Sequence, residues 1–375
     1  MLWAFRLAET KNTVKRKADH IRICLTKDVQ SHRSPGFEDV YLIHNALPEI
    51  SLTEIDTSTK IFNHKLSHPI IIAGMTGGTR KAAKINASLA EAAEKLGLGM
   101  GVGSQRVALE DPKQEYSFKI VREKAPTIFL IANLGIAQLA KDYGVDEAIK
   151  AVEMVEANAL AIHLNVLHEA VQVEGQIDFK NVLKKIEEIT HSLNVPVIAK
   201  ETGAGISAEV AKKLEEVGVK GVDVGGVGGT SWAAVEYYRA KEARKKLNQQ
   251  LSLTFWDWGV PTVISLIETV KSTNLTTIAT GGVRNGLDIA KAIALGANVA
   301  GIAFPLLKSA VKGSEKTIWK LKCIIEELKI AMFLTGKKSL DELKHTPVVI
   351  LGKTAEWLKL RGFNPQDYAL RPAKP

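Results

Sequence analysis

The chain has only two cysteines in 375 residues, Cys24 and Cys323, far apart and without metal-ligand spacing. That excludes a disulfide framework and a cysteine zinc site, and it suits a reducing, cytoplasmic setting. No run reaches the ~18 apolar residues that a membrane-spanning helix needs, so no membrane partner is expected. Residues 1–7 are apolar but too short for a signal-peptide core, and read as a loose extension. Acid is in deficit: 41 Asp and Glu against 50 Lys and Arg give a formal net charge of +9. Such a balance favours an anionic partner, either nucleic acid or a phosphorylated small molecule. No RNP-like aromatic strand, zinc knuckle or helix-turn-helix pattern is present to favour the first.

From residue 69 onward, short β-branched runs alternate with longer segments of helical period. Eight runs read as strands: 69–75, 98–101, 127–133, 159–165, 196–201, 221–225, 276–281 and 298–303. Between them, 81–96, 207–217 and 286–295 carry apolar residues three and four apart, as helices do. Near-continuous apolar strands separated by helices imply a parallel sheet buried on both faces. The fold expected is α/β, a (β/α)8 barrel over residues 69–312. Residues 1–68, with turns at Pro35-Gly36 and Leu47-Pro48, are expected to form an arm and cap over one barrel end. Residues 313–375 are expected to form a helical extension, and 236–251 a solvated or oligomer-contacting helix.

In such a barrel, reactive groups gather on the loops after the strands, at their C-terminal ends. Five glycine clusters fall there, around Gly74, Gly101, Gly203, Gly225 and Gly281. Glycine lets backbone amides approach a ligand closely. The loops with Gly281-Gly282-Val283-Arg284 and Ala303-Phe304 each precede a helix, whose N-terminal amides and dipole suit a phosphate. Polar residues end several apolar strands: Thr76, Asn133, His163, Asn165, Lys200 and Glu201. His163 and Asn165 share one face of their strand. Lys200 can form a Schiff base, steady an electron-poor ring as a cation, or pair with Glu201 or Asp223. Arg16, Lys17 and His20, with Gln105 and Arg106, could grip a diphosphate. Glu169, beside His168, could share a Mg2+ with it.

At these positions the chain resembles the type 2, FMN-dependent isopentenyl-diphosphate isomerases, archaeal members in particular. The likeness runs over roughly residues 14–365. It rests on Arg16-Lys17-x-x-His20, Ala73-Gly74-Met75-Thr76-Gly77-Gly78, Gly101-Val102-Gly103-Ser104-Gln105-Arg106 and Ile131-Ala132-Asn133, followed by His163-Leu164-Asn165, Lys200-Glu201-Thr202-Gly203, Gly228-Gly229-Thr230-Ser231-Trp232 and Gly281-Gly282-Val283-Arg284. The resemblance implies conversion of isopentenyl to dimethylallyl diphosphate in isoprenoid biosynthesis. It implies FMN held by Ala73, Gly74, Met75, Thr76, Ser104, Asn133, Lys200, Gly225, Thr230, Gly282, Val283, Arg284, Ala303 and Phe304. Arg16, Lys17, Ser104, Gln105 and Arg106 would hold the diphosphate. His163, Asn165, His168 and Lys200 would serve the chemistry, and Glu169 the Mg2+. Trp232 and Glu236 stand at further active-site positions of the family. Reduced flavin, supplied through NADPH or NADH, and a homo-oligomer of four or eight chains complete what the resemblance implies.

One departure stands out. After His163-Leu164-Asn165 the family reads two residues and then Gln-Glu, whereas this chain has His168-Glu169. Activity is expected to be retained but altered, since histidine titrates near neutral pH and glutamine does not. Gly225 and Val173 are milder departures. The enzymatic alternative is an FMN-dependent α-hydroxy-acid oxidase or dehydrogenase. That chemistry wants an Arg pair and a His base, and the presumed strand ending Phe255-Trp256-Asp257-Trp258 lacks the histidine.

Overall fold

The computed structural model describes residues 2–372, with side chains from Thr13 onward. Eight parallel strands close into a barrel. They are β1 (Ile70–Ile72), β2 (Gly99–Gly101), β3 (Leu130–Gly135), β4 (Ala159–Leu164), β5 (Val197–Glu201), β6 (Gly221–Asp223), β7 (Thr276–Ala279) and β8 (Val299–Ile302), with β8 pairing back onto β1. Each coincides with an expected run. β3 begins three residues late because the Thr127 N–H and hydroxyl both donate to Glu94, which draws the backbone out of the ladder.

Alternation along the strands explains both the core and the site. One parity faces the surrounding helices: Ile70, Ile72, Leu130, Ala132, Leu160, Ile162, Val197 and Ala199. The other faces the barrel axis: Ile71, Ile131, Ala161, Ile198, Ile278 and Val299. Farther along that inward parity the side chains turn polar, as Asn133, His163, Lys200, Asp223 and Thr280. The lower barrel is therefore a packed core, and the upper barrel a polar floor.

Helices form where expected, as Arg80–Leu96, Ala208–Glu216 and Gly286–Ala294. The first starts at Thr79, whose hydroxyl accepts from the Ala82 N–H at 3.0 Å, and stops at Gly97, where φ is 62°.

Residues 1–68 do more than cap one end. Helix α1 (Leu2–Thr26) lies over the C-terminal mouth, packed on Arg106–Glu110 and Trp232–Glu242. Met1 lies outside the described residues. A hairpin, Thr59–Ile61 with His64–Leu66, plugs the opposite end. Ile61, Leu66 and Phe62 pack there on Phe129 and Ile71. Gly221 makes room, since a Cβ on it would stand 2.8 Å from the Phe62 ring. Val40–Leu42 pairs antiparallel with Val348–Ile350, so the C-terminal extension is not purely helical.

Two further expectations are corrected. Residues 236–251 are not one solvated helix but parts of two, Trp232–Glu242 and Lys246–Thr254. The first buries Ala233, Ala234, Val235, Glu236 and Ala240 against α1 and its neighbours. Phe255–Trp258 is a turn after the second helix and not a strand end; Trp256 Nε1 donates there to the Gln30 carbonyl at 3.0 Å. Among the described residues no helix is long and apolar enough to cross a membrane.

Candidate active site

The loops after the strands and the underside of α1 enclose one cleft of about 1670 Å³, its open mouth included. The residues singled out for cofactor, substrate, metal or chemistry line it, with one exception, while Glu236, a further active-site position, lies just behind the lining. The exception is Gln105. It is fully buried, its Nε2 donating to the Ala151 carbonyl at 2.8 Å and its Oε1 accepting from the Asn133 N–H at 2.8 Å. Its side chain braces the loop after β2 and makes no contact with the cleft.

The floor is a chain of polar contacts. Lys200 Nζ stands 2.7 Å from Asp223 Oδ2, and the other Asp223 oxygen accepts from the Thr280 hydroxyl. Of the partners open to Lys200, the structure takes Asp223. Glu201 turns the other way and accepts from the N–H groups of Thr202, Gly203, Ala204 and Gly205 with one oxygen. Burial pushes its carboxyl up to about 7. His163 Nδ1 lies 2.7 Å from Asn133 Oδ1. Burial, with the charges of His168, Lys200 and Lys17, lowers His163 to about 3, so the ring is neutral and donates to that amide oxygen.

Over β7 and β8 the cleft is made of backbone. Gly281 and Gly282 have φ of 100° and 75°, and a Cβ on Gly282 would stand 2.5 Å from the Gly228 carbonyl. Only glycine lets the loops after β6 and β7 lie this close. Helix Phe304–Lys312 opens at Ala303 with no side-chain cap, so its first amides have no capping acceptor. Arg284 is tethered by Gln30 Oε1, and burial lowers its pKa. An uncapped helix start beside a tethered guanidinium suits a phosphate monoester.

A second basic group lies elsewhere on the rim, with α1 and the loop after β2. Lys17 Nζ donates to the Ser104 carbonyl at 2.5 Å, and Arg106 pairs with Glu110 at 2.5 Å. Burial, then the Arg16 charge, lowers Lys17 to about 7. Arg16 is likewise lowered, by burial and by Arg106. Three cations crowded at a buried rim could hold an anion.

Glu169, on helix Val166–Val171 after β4, is buried and accepts from Asn165 Nδ2 at 2.9 Å, Gln172 Nε2 at 2.6 Å and the Gln176 N–H at 2.9 Å. Asn165 Oδ1 and Gln172 Oε1 are buried without a hydrogen-bond partner. A carboxylate with two amides whose oxygens are unpartnered offers oxygen donors, the kind Mg2+ takes, once the amides turn those oxygens toward it in place of their N–H groups. Gln172 was missed in the sequence, although its spacing three residues after Glu169 puts both on one helical face. Gln30 also escaped notice because it acts through Arg284, distant in the chain, and Arg239 because it acts through Glu236, whose burial the sequence does not show.

The last part of the wall is His20 and His168, with Glu236 buried behind them. Both rings reach Glu236 Oε1, from His20 Nε2 at 3.1 Å and His168 Nε2 at 2.9 Å. Arg239 holds the other oxygen at 2.6 Å. Trp232 lies against both rings, with centroids 5.1 and 4.9 Å away. Burial pulls His20 down to about 4, and the surrounding donors hold Glu236 well below the usual carboxylate range.

Comparison with known proteins bears on this geometry. The profile of the FMN-dependent dehydrogenase family matches residues 137–350. The chain is 50% identical to an isopentenyl-diphosphate delta-isomerase of Pyrococcus furiosus over 374 residues, covering 98% of this chain and 94% of that one. It is 50% identical to the isopentenyl-diphosphate delta-isomerase of Methanosarcina mazei, covering 96% and 98%. Among solved structures, the flavin-binding domain of baker's yeast flavocytochrome b2 superposes with a TM-score of 0.63 at 19% identity, covering 85% of this chain and 78% of that one. A lactate oxidase of Pediococcus acidilactici gives 0.67 at 16% identity, covering 92% and 94%. Those two likenesses concern the barrel fold. The chain belongs to the isopentenyl-diphosphate delta-isomerases and carries the domain of the FMN-dependent dehydrogenase family.

Proposed function

We propose that this protein converts isopentenyl diphosphate to dimethylallyl diphosphate, with reduced FMN, kept reduced by NADPH or NADH, and Mg2+ as cofactors. The observation that carries this reading is a single cleft lined by two groups suited to anions. One is the backbone and Arg284 site over β7 and β8, and the other is the Arg16, Lys17 and Arg106 rim. A cofactor phosphate suits the first, and a substrate diphosphate the second.

Moving the double bond requires a proton added at the terminal alkene carbon and another removed two carbons away, from the CH2 on the far side of the branched carbon. Reduced FMN, when bound, supplies an electron-rich ring and an exchangeable proton. The chain's residues do the rest. Ala73, Gly74, Met75, Thr76, Ser104, Asn133, Gly225, Thr230, Gly282, Val283, Ala303 and Phe304 form the walls that hold the cofactor. Lys200, fixed on Asp223, presents a cation to it from the floor. Neutral His163 and Asn165 orient the substrate's C5 chain. Arg16, Lys17 and Arg106 neutralise the diphosphate, with Glu169 and the amide oxygens of Asn165 and Gln172 holding Mg2+. His168, at the position where the family has glutamine, is steadied by Glu236 and modifies the rate without abolishing it. Homo-oligomers of four or eight chains, working in the cytoplasm, complete the proposal; neither nucleic acid nor membrane is a partner in it.

Purification tests it. The protein should be yellow and should convert isopentenyl diphosphate only after its flavin is reduced. A colourless preparation, full activity with 5-deazaFMN, or flavin reduction by 2-hydroxy acids without isomerisation would refute it.

A further inference from the structure

The pairing of His20, His168 and Glu236 has a chemical meaning apart from isomerisation. Two imidazole nitrogens and one carboxylate oxygen converge, all within 4.8 Å of one another. They come from three separate parts of the chain: α1, the helix after β4 and the helix after β6. We infer that His20, His168 and Glu236 form a binding site for a divalent transition ion of the Zn2+ class, open on one side to the cleft.

The dimensions fit. A tetrahedral ion with bonds of about 2.0–2.1 Å needs its ligand atoms about 3.3–3.5 Å apart. Two edges of the triangle are already 3.1 and 2.9 Å. The ion asks those two edges to open by a few tenths of an ångström, and the third, between the two imidazole nitrogens, lies within 4.8 Å. Outer contacts are in place too: Arg239 fixes the second oxygen of Glu236, and Trp232 limits the tilt of both rings. Against the ionised carboxylate each ring presents an N–H from Nε2. On binding, that proton shifts to Nδ1 or leaves, and the Nε2 lone pair goes to the metal. Both histidines line the cleft, so the fourth position takes water or a phosphate oxygen.

Ligand chemistry separates this site from the one at Glu169. Imidazole nitrogens select zinc, cobalt or nickel, whereas the oxygen set at Glu169 suits Mg2+. The site exists only because residue 168 is a histidine: a glutamine there would supply a poor neutral oxygen in place of a nitrogen.

The test uses the FMN-loaded protein in excess Mg2+, titrated with ZnCl2 and separately with CoCl2. One Zn2+ per chain should bind with a dissociation constant at or below about 1 μM. Loss of an outer contact alone commonly weakens a site 10–100-fold, so His168→Gln and His20→Gln should each weaken it on the order of 100-fold or more. Cys24 also lines the cleft. Bound Co2+ should therefore show nitrogen and oxygen ligation without a thiolate charge-transfer band, and Cys24→Ser should bind as the parent does. Glu169→Gln should keep the site. Flavin content and Tm of each variant report whether it is folded. Binding equally tight in a folded His168→Gln protein, a thiolate band, or no stoichiometric Zn2+ in the parent would overturn the inference. None of these readouts depends on turnover, so they stand or fall separately from the isomerase proposal.

Discussion

Lys17 gives the sharpest handle on the substrate site. Its ammonium sits on the cleft wall between Arg16 and Arg106, donating to the Ser104 carbonyl, and its pKa falls from 10.5 to about 7. Burial is the first cause, and the Arg16 charge the second; Glu110 opposes them. At neutral pH about half of the free protein therefore lacks this charge. A diphosphate restores the proton on binding, and the free protein must supply a protonated Lys17 to bind well. Because kcat/KM reports ionisations of the free enzyme, it should fall about tenfold per unit above pH 7, approaching 100-fold by pH 9. Arginine stays charged throughout, so Lys17→Arg should flatten that limb. Stability should move oppositely. The unfolded chain holds the Lys17 proton up to about 10.5 and the folded chain only to about 7. Between these values the unfolded state binds more protons, so the substrate-free protein gains stability as pH rises. Steady-state kinetics from pH 6 to 9, with Tm measured over the same range, reads both. A flat kcat/KM in the parent, or an identical limb in Lys17→Arg, would refute the assignment.

Three further outcomes follow from the geometry. Gly282→Ala places a methyl 2.5 Å from the Gly228 carbonyl at φ 75°. With about 1–3 kcal/mol of local strain, FMN affinity should drop roughly 10–100-fold; a stoichiometrically yellow variant would refute this. Glu169→Gln should raise KM for the diphosphate and remove the dependence on added Mg2+, and an unchanged Mg2+ requirement in an EDTA titration would argue against the oxygen-ligand site. Phe62→Ala empties the hairpin plug far from the cleft, with a loss of about 2–3 kcal/mol and a Tm lowered by a few degrees at unchanged kcat. An unaltered Tm would mean that the plug carries no load.

The barrel was legible in the sequence because eight doubly buried strands leave apolar runs that little else produces. The site was legible where a polar residue interrupts such a run, as at Lys200 and His163. Gln105 shows the limit: it stands in the motif beside Arg106, yet one residue's difference in direction turns its amide into the core. Glu236 was reachable only through the family resemblance. In a charged stretch it looks solvated, and only the packing of α1 on its helix buries it. The hairpin plug was invisible because its apolar residues find partners among strands far along the chain.

The pairing of Val40–Leu42 with Val348–Ile350 also sets a timetable. Val40 leaves the ribosome some 310 residues before its partner Ile350 exists. At roughly 5–20 residues per second that is a wait of about 15–60 s. The mouth-covering helix, the plug and this strand all belong to the stretch made first, yet none can dock until later parts of the barrel are present. Docking of the N-terminal stretch therefore comes late, and until then it is the segment most in need of a chaperone's shelter.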